Sequence, residues 1–204
     1  YDLILYKLAM NKVLAEIIAG VIPHKMTRNR WRGLLRYGLF NAIRLKYRMK
    51  HDHTVPQYYL TVCAIAKNEG PYFKEWIEWH HKQGVEKFYI YDNESTDCTK
   101  EVLEPYIKSG LVEYRYWPGR KQQLAAYDDC FERHRTEARW IAVIDLDEYI
   151  VPIKDRTIPE FLHRMEEFAV VEINWLVYGS GGAKTREPGG IMERFRKHSL
   201  PEHR

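Results

Sequence analysis

The sequence lacks the features that mark membrane-spanning and disulfide-rich proteins. It has no run of about 18 apolar residues, so it predicts no helix that crosses a bilayer. Val13 to Ile22 is too short and lacks a cleavage pattern, which argues against a signal peptide. Only three cysteines occur, without metal-ligand spacing: Cys63, Cys98 and Cys130. We therefore expect reduced thiols and a cytoplasmic location.

What is present is enough for one full domain with a small extra element. The chain has 204 residues, of which 45% are apolar, so it can bury a core. It opens with Tyr1 rather than Met and closes at Arg204 without a terminating pattern. We expect a fragment that is truncated at its C-terminal end, and the missing residues can include functional ones.

The chain has a basic region and an acidic region, although its overall net charge is only +4. Residues 1–57 hold 11 Lys and Arg against 3 Asp and Glu, whereas residues 58–204 are net acidic. Apolar spacing predicts a helix to about Gly20 and a basic amphipathic helix over residues 25–50. This arm suits an anionic membrane surface at the inner face, or packing on the following domain or a partner. Nucleic acid is not expected, because no recognition motif accompanies the charge.

Residues 58–204 alternate predicted strands with predicted helices. The predicted strands are 59–66, 87–91, 111–116, 140–144 and 169–175. Helices are predicted from Pro71 to Gly84, up to Gly110, over 120–134 and over 158–167. This order indicates an α/β domain, with a mainly parallel sheet and helices on both faces, related to the Rossmann fold.

Polar side chains follow three of the predicted strands. They are Lys67, Asn68 and Glu69 after the first, Asp92 and Asn93 after the second, and Asp145 and Asp147 after the fourth. Ligands of such sheets bind beyond the carboxyl ends of the strands. We therefore expect these residues to form one site.

The pair Asp145 and Asp147 follows the apolar run Trp140 to Ile144. Carboxylates at the end of a buried strand are either partnered or bound to a cation, and hard cations such as Mn²⁺ or Mg²⁺ prefer oxygen ligands. The alternative is a helix-capping or salt-bridged acid pair. We favour the metal.

The turn Asp92-Asn93-Glu94-Ser95-Thr96-Asp97-Cys98-Thr99 resembles the acid-rich turn of inverting nucleotide-sugar glycosyltransferases with the A-type (GT-A) fold. Asn93, Glu94 and Cys98 depart from that pattern. Further matching segments narrow the resemblance to glycosyltransferase family 92 and its bacterial relatives, over roughly residues 58–198. These segments are 63–69, 76–80, 90–97, 145–148 and 174–180.

The resemblance implies transfer of a sugar from a nucleotide-sugar donor, with inversion, to a glycan or lipid-linked acceptor. A UDP-hexose such as UDP-galactose is the implied donor. Asp145 and Asp147 would act through Mn²⁺ or Mg²⁺ on the sugar diphosphate. Asp92, beside Asn93 and with Lys67 to Glu69, would hold the nucleoside. Asp97 is expected to be structural.

Other candidates surround this donor site. Lys121 and Gln122 open a predicted helix, where backbone N–H groups and positive charge favour a phosphate, although a solvated helix start explains them equally well. Ser180 lies in a glycine-rich loop that suits the acceptor side, with Trp175 and Tyr178 as surfaces for stacking on a sugar ring. Core packing is the favoured alternative for Trp175.

The catalytic base is the least defined residue. Glu148 follows the metal pair, but a role as an arginine's partner is favoured for it. Glu187, Glu193 and His198 are further candidates, and the base can also lie beyond Arg204. His80 and His81 are expected to serve packing rather than a zinc site.

Two other functions compete with sugar transfer. The chain could bind a nucleotide-sugar without turnover. A nucleotidyltransferase would also use a carboxylate-held metal on a similar sheet, but residues 66–70 are too acidic and too poor in glycine to grip a triphosphate.

Overall fold

The computed structural model describes residues 55–185 and 189–198. The predicted basic arm and Glu187 lie outside these residues. Binding of the arm to an anionic membrane surface and the cytoplasmic location therefore stay predictions. Among the described residues, no helix combines the length and the apolar character needed to cross a bilayer.

Strands and helices alternate along the chain. The strands are β1 (Tyr58–Ala66), β2 (Lys87–Asp92), β3 (Val112–Tyr116), β4 (Ala138–Val143), β5 (Tyr178–Gly179) and β6 (Lys197–His198). The helices are α1 (Gly70–Lys82), α2 (Thr99–Lys108), α3 (Gln123–His134), α4 (Ile158–His163) and α5 (Ile191–Arg194).

The main sheet has four strands in the order β3-β2-β1-β4, and every pair is parallel. Parallel neighbours require crossover connections, which α1, α2 and α3 supply. The register aligns Ala66 with Asp92, and Asp92 with Tyr116. On the other side of β1, Cys63 pairs with Val143, two residues before Asp145. The carboxyl ends of β1, β2 and β4 thus lie along one edge, as predicted.

Alternating side chains of the strands fill two cores, one on each face of the sheet. The larger core joins the sheet to α1, α2 and α4, and includes Leu60, Val62, Phe88, Ile90, Trp76 and Leu103. The smaller core joins it to α3, through Cys63, Tyr89, Tyr91, Ala126 and Cys130. Because helices cover both faces, the predicted α/β architecture is confirmed, and it is consistent with a GT-A-like fold.

Three predicted elements differ in the structure. Residues 169–175 do not form a strand, because no neighbouring strand pairs with them among the described residues. Helix α3 begins at Gln123 rather than Arg120, since Lys121 has a φ of 55° and interrupts the helix. Helix α4 ends at His163 rather than Glu167.

Candidate active site

The loops after β1 and β2 are joined by hydrogen bonds through Asn68. Its backbone N–H donates to the Ser95 hydroxyl at 2.8 Å, and its side-chain oxygen accepts from the Thr96 N–H at 2.8 Å. Asn68 has a φ of 59°, a left-handed conformation that asparagine tolerates better than most residues. These bonds fix the backbone between Lys67 and Glu69 beside the turn that follows Asp92.

Asp92 ends β2 and is only 4% exposed. One carboxylate oxygen accepts from the Ser95 N–H at 2.9 Å, and the other accepts from the Tyr114 hydroxyl at 2.5 Å. Burial, together with the Asp92 carboxylate, raises the pKa of Tyr114, which keeps that hydroxyl protonated as a donor. Each oxygen retains a second lone pair. Contact of Asp92 with a nucleoside stays a prediction.

Asn93 shapes the loop that leads from β3 towards α3. Its side-chain amide donates to the carbonyls of Trp117 at 2.7 Å and Gly119 at 2.9 Å. Beside it, the Lys67 ammonium lies 3.9 Å from the Glu94 carboxylate. The residues predicted to bind the donor therefore lie close together. The Asn93 side chain holds the backbone of the loop between β3 and α3.

Asp97 ties together the starts of two helices. Its carboxylate accepts from the N–H groups of Gly70 and Thr99, each at 3.0 Å, and from the Thr99 hydroxyl at 2.5 Å. A Cβ on Gly70 would lie 2.7 Å from the Thr99 nitrogen, so only glycine fits where α1 and α2 meet. Asp97 is structural, as expected.

Helix α1 holds the turn that carries the Asp-x-Asp pair. The Trp76 indole N–H, whose side chain is fully buried, donates to the carbonyls of Asp145 at 3.1 Å and Glu148 at 2.9 Å. Glu148 in turn accepts from the Asp145 N–H at 3.0 Å, and it forms no ion pair with an arginine among the described residues. Within the described residues, this carboxylate closes its own turn instead of pairing with an arginine.

His80, one helical turn after Trp76, also holds the segment that follows the Asp145 turn. Its Nε2 accepts from the Ile150 N–H at 3.2 Å, so its Nδ1–H donates to the Trp76 carbonyl at 2.9 Å. Burial lowers the pKa of His80 to about 4. The ring is therefore neutral at physiological pH, and because both of its nitrogens are hydrogen-bonded, it serves packing, as expected.

Asp145 and Asp147 are exposed at the end of β4. One oxygen of Asp145, Oδ1, accepts from the Gln123 side-chain amide and from the Tyr127 hydroxyl, each at 3.3 Å. The Gln123 amide also donates to the Tyr127 hydroxyl at 2.9 Å. Burial, with the nearby Asp145 charge, raises the pKa of Tyr127 to about 12, so the hydroxyl remains a donor at neutral pH.

The edge that carries the pair is strongly negative. Burial raises the pKa of Glu69, and the charges of Asp147 and Asp145 raise it further. Burial and the same two charges raise the pKa of Glu148. A divalent cation would relieve this repulsion. Within residues 55–185 and 189–198, no group of three or more Asp, Glu, His or Cys side chains is placed to hold one. Two carboxylates still fit a cation whose other ligands are phosphate oxygens and water.

Lys121 and Gln122 directly precede α3, whose first residue is Gln123. The helix start has no side-chain cap, and the Gln122 amide instead donates to the Arg120 carbonyl at 3.3 Å. Because Gln123 contacts Asp145, this helix end lies beside the acidic pair. Phosphate binding by Lys121 and Gln122 stays a prediction.

The predicted acceptor residues lie in residues 168–198, which we call the C-terminal segment. Ser180 and Glu193 line one pocket of about 300 Å³. Tyr178 and His198 pair across β5 and β6, with ring centroids 5.3 Å apart. Trp175 is 79% exposed, so core packing of Trp175 is wrong. The assignment of a base among Glu193, His198 and Glu187 stays a prediction.

The sequence did not predict the roles of four residues that organise the site. They are Trp76, Tyr114, Gln123 and Tyr127. Gln123 and Tyr127 are four residues apart in a helix, which places them on one face. That spacing was a usable signal for a shared partner. Tertiary packing decides which strand this helix face contacts. A single sequence does not show that packing.

Comparison with known proteins adds to this geometry. Residues 58–199 match glycosyltransferase family 92. The chain belongs to that family. It is 37% identical over 92 residues to a family 92 protein of Oryza sativa subsp. japonica, covering 45% of this chain and 16% of the rice protein.

Two further relatives of this family 92 chain carry specific activities in their names. One is the β-1,4-galactosyltransferase galt-1 of Caenorhabditis elegans, 30% identical over 63% of this chain and 35% of the worm protein. The other is the galactan β-1,4-galactosyltransferase GALS2 of Arabidopsis thaliana, 29% identical over 72% of this chain and 31% of the plant protein. The chain thus spans about a third or less of the length of these relatives.

Proposed function

We propose that this family 92 chain carries the donor-binding part of a metal-dependent hexosyltransferase. It would transfer galactose from UDP-galactose, with inversion, to a glycan or lipid-linked acceptor. The observation that carries the proposal is the alignment of Asp145 and Asp147 with Asp92 and Lys67–Glu69 along one sheet edge. In parallel α/β sheets this edge is where ligands bind.

The two ends of the donor would meet different chemistry along that edge. At the β4 end, Asp145 and Asp147 would hold Mn²⁺ or Mg²⁺ against the diphosphate. The cation, when bound, stabilises the negative charge that develops on the leaving diphosphate. At the β2 end, Asp92 and Asn68 lie in a hydrogen-bonded turn that suits a nucleoside.

The reaction would proceed by direct displacement. The acceptor hydroxyl oxygen forms a bond to the anomeric carbon as the bond from that carbon to the diphosphate oxygen breaks, and UDP leaves. The hydroxyl proton passes to a base on the opposite face of the sugar. Glu193 is a candidate for this base, and it lines one pocket together with Ser180.

The names of the relatives support galactose and inversion. Two relatives are named as β-1,4-galactosyltransferases. UDP-galactose holds its sugar in α linkage, so a β product requires inversion at the anomeric carbon. Acceptor identity would depend on residues of the C-terminal segment, whose Trp175 offers an exposed ring for stacking.

The test is calorimetric titration of UDP-galactose with and without Mn²⁺, followed by an assay for free UDP. We expect Asp145→Ala and Asp147→Ala each to abolish Mn²⁺-dependent binding while the far-UV spectrum is unchanged. Asp155→Ala is the matched control, because Asp155 pairs with Arg164 away from the sheet edge and should leave binding intact.

Unchanged binding in both Asp145→Ala and Asp147→Ala would overturn the metal assignment. Binding without release of UDP, in the presence of a galactan or a lipid-linked acceptor, would instead favour a nucleotide-sugar-binding protein. A preference for another UDP-sugar would replace galactose and keep the remainder of the proposal.

A further inference from the structure

Asp145 is the only one of the two proposed metal ligands that α3 contacts in the part of the chain that the structure describes. Both contacts reach the same oxygen, Oδ1, from Gln123 and from Tyr127 at 3.3 Å. No hydrogen bond occupies Oδ2 among the described residues. The carboxylate is thus held on one side and available on the other.

The three side chains form a closed set. The Gln123 amide donates both to the Tyr127 hydroxyl, at 2.9 Å, and to the Asp145 oxygen. Each of the three groups therefore restrains the other two. Gln123 and Tyr127 lie one helical turn apart on α3, which is anchored in the smaller core through Ala126 and Cys130. The donors are therefore fixed by a rigid element, and they fix the carboxylate in turn.

We propose that Gln123 and Tyr127 are positioning residues that orient the Asp145 carboxylate so that Oδ2 faces the cation and the donor diphosphate. This inference rests on the proposed function. Outer residues that hydrogen-bond a metal-binding carboxylate set its direction, and their loss typically weakens metal binding by 10–100-fold.

A purely structural role explains the arrangement less well. The bonds to Asp145 are long, and the carboxylate is exposed, so they add little to the free energy of folding. The arrangement instead limits rotation of the carboxylate, which matters only when its other oxygen has a ligand.

The test measures Mn²⁺ affinity by electron paramagnetic resonance of the free ion, with UDP present. We expect Tyr127→Phe to weaken Mn²⁺ binding about tenfold, and the double variant with Gln123→Ala to weaken it by about 10–100-fold. The melting temperature without metal should be unchanged, while the Mn²⁺-induced rise in melting temperature should shrink. If Gln123 and Tyr127 had only a structural role, the Mn²⁺-induced rise in melting temperature would not change.

Tyr106→Phe is the matched control. Tyr106 on α2 also donates to a carboxylate, Glu78, at 3.2 Å, but away from β4, and its variant should bind Mn²⁺ as the parent does. Unchanged or tighter Mn²⁺ binding in the Tyr127 and Gln123 variants, while Asp145→Ala abolishes it, overturns this inference alone. If the parent and Asp145→Ala bind Mn²⁺ equally, Asp145 is not a metal ligand, and the inference fails; if Asp147→Ala also binds equally, the metal assignment of the proposed function fails too.

Discussion

The sheet edge and the C-terminal segment are built in opposite ways. At the edge, the loops after β1 and β2 are tied by hydrogen bonds: Asn68, Asp92 and Asp97 each accept two or more, mostly from backbone. In the C-terminal segment, by contrast, large apolar side chains lie in solvent. They are Phe168, Val170, Ile173, Trp175, Leu176, Val177 and Tyr178.

The contrast shows which part of the site is specified by the described residues alone. An edge preorganised by backbone contacts has its shape before any ligand arrives. Exposed apolar side chains in a patch are typical of interaction surfaces and ligand-binding grooves. We expect substitutions of the buried residues that support the edge to cost stability and binding together, and those in the C-terminal segment to affect binding alone.

The largest expected effect follows from Trp76→Ala. Trp76 is fully buried and supports the Asp145 turn through two hydrogen bonds, so the variant should lose about 3–5 kcal/mol of stability. Urea unfolding at neutral pH measures this loss. Trp76→Phe, which keeps a ring and loses the N–H, should retain more stability and still weaken Mn²⁺ binding. A loss below about 1 kcal/mol in Trp76→Ala would contradict the role of this side chain as support.

A second effect depends on pH. Burial lowers the pKa of His80 to about 4, below its ordinary value of 6.5. Between these values the unfolded chain binds a proton that the folded chain excludes, so stability falls as the pH falls through this window. The difference amounts to about 3 kcal/mol at pH 4 and vanishes above pH 7.

The comparison of His80→Gln with the parent isolates this contribution. Urea unfolding at pH 7 and pH 4 should show a smaller acid-induced loss of stability in the variant. The raised pKa values of Glu69 and Glu148 act in the opposite direction, but both proteins contain these residues, so the difference removes them. His81→Gln is the control and should lose stability as the parent does. Equal losses in His80→Gln and the parent would exclude His80 as the responsible group.

The smallest expected effect on stability belongs to Trp175→Ala. Its side chain is 79% exposed, so the free energy of unfolding should change by less than about 0.5 kcal/mol. UDP binding with Mn²⁺ should also be unchanged, whereas the KM for the acceptor should rise. A substantial loss of stability would show that the ring is buried, and the two regions would then no longer differ.

Sequence reasoning succeeded where a pattern is local and failed where tertiary contacts decide. The alternation of strands and helices requires a parallel sheet, and this in turn places Asp92 and Asp145 at one edge. The apolar run at 169–175 has the composition of a strand, but strand formation needs a partner ladder, which composition does not reveal. Likewise, Gln123 and Tyr127 share a helix face, yet only the packing of α3 shows that this face meets Asp145.

The close contact at Gly70 has a consequence for comparing relatives of this family. Because a Cβ there would come within 2.7 Å of the Thr99 nitrogen, any larger residue at this position forces the two helix starts apart. That separation would break the bonds of Asp97 and shift the loop of Asn68, which borders the predicted nucleoside side. An aligned relative without glycine at this position should therefore have a differently shaped Asn68 loop. This one position can thus sort family members by the geometry of this loop.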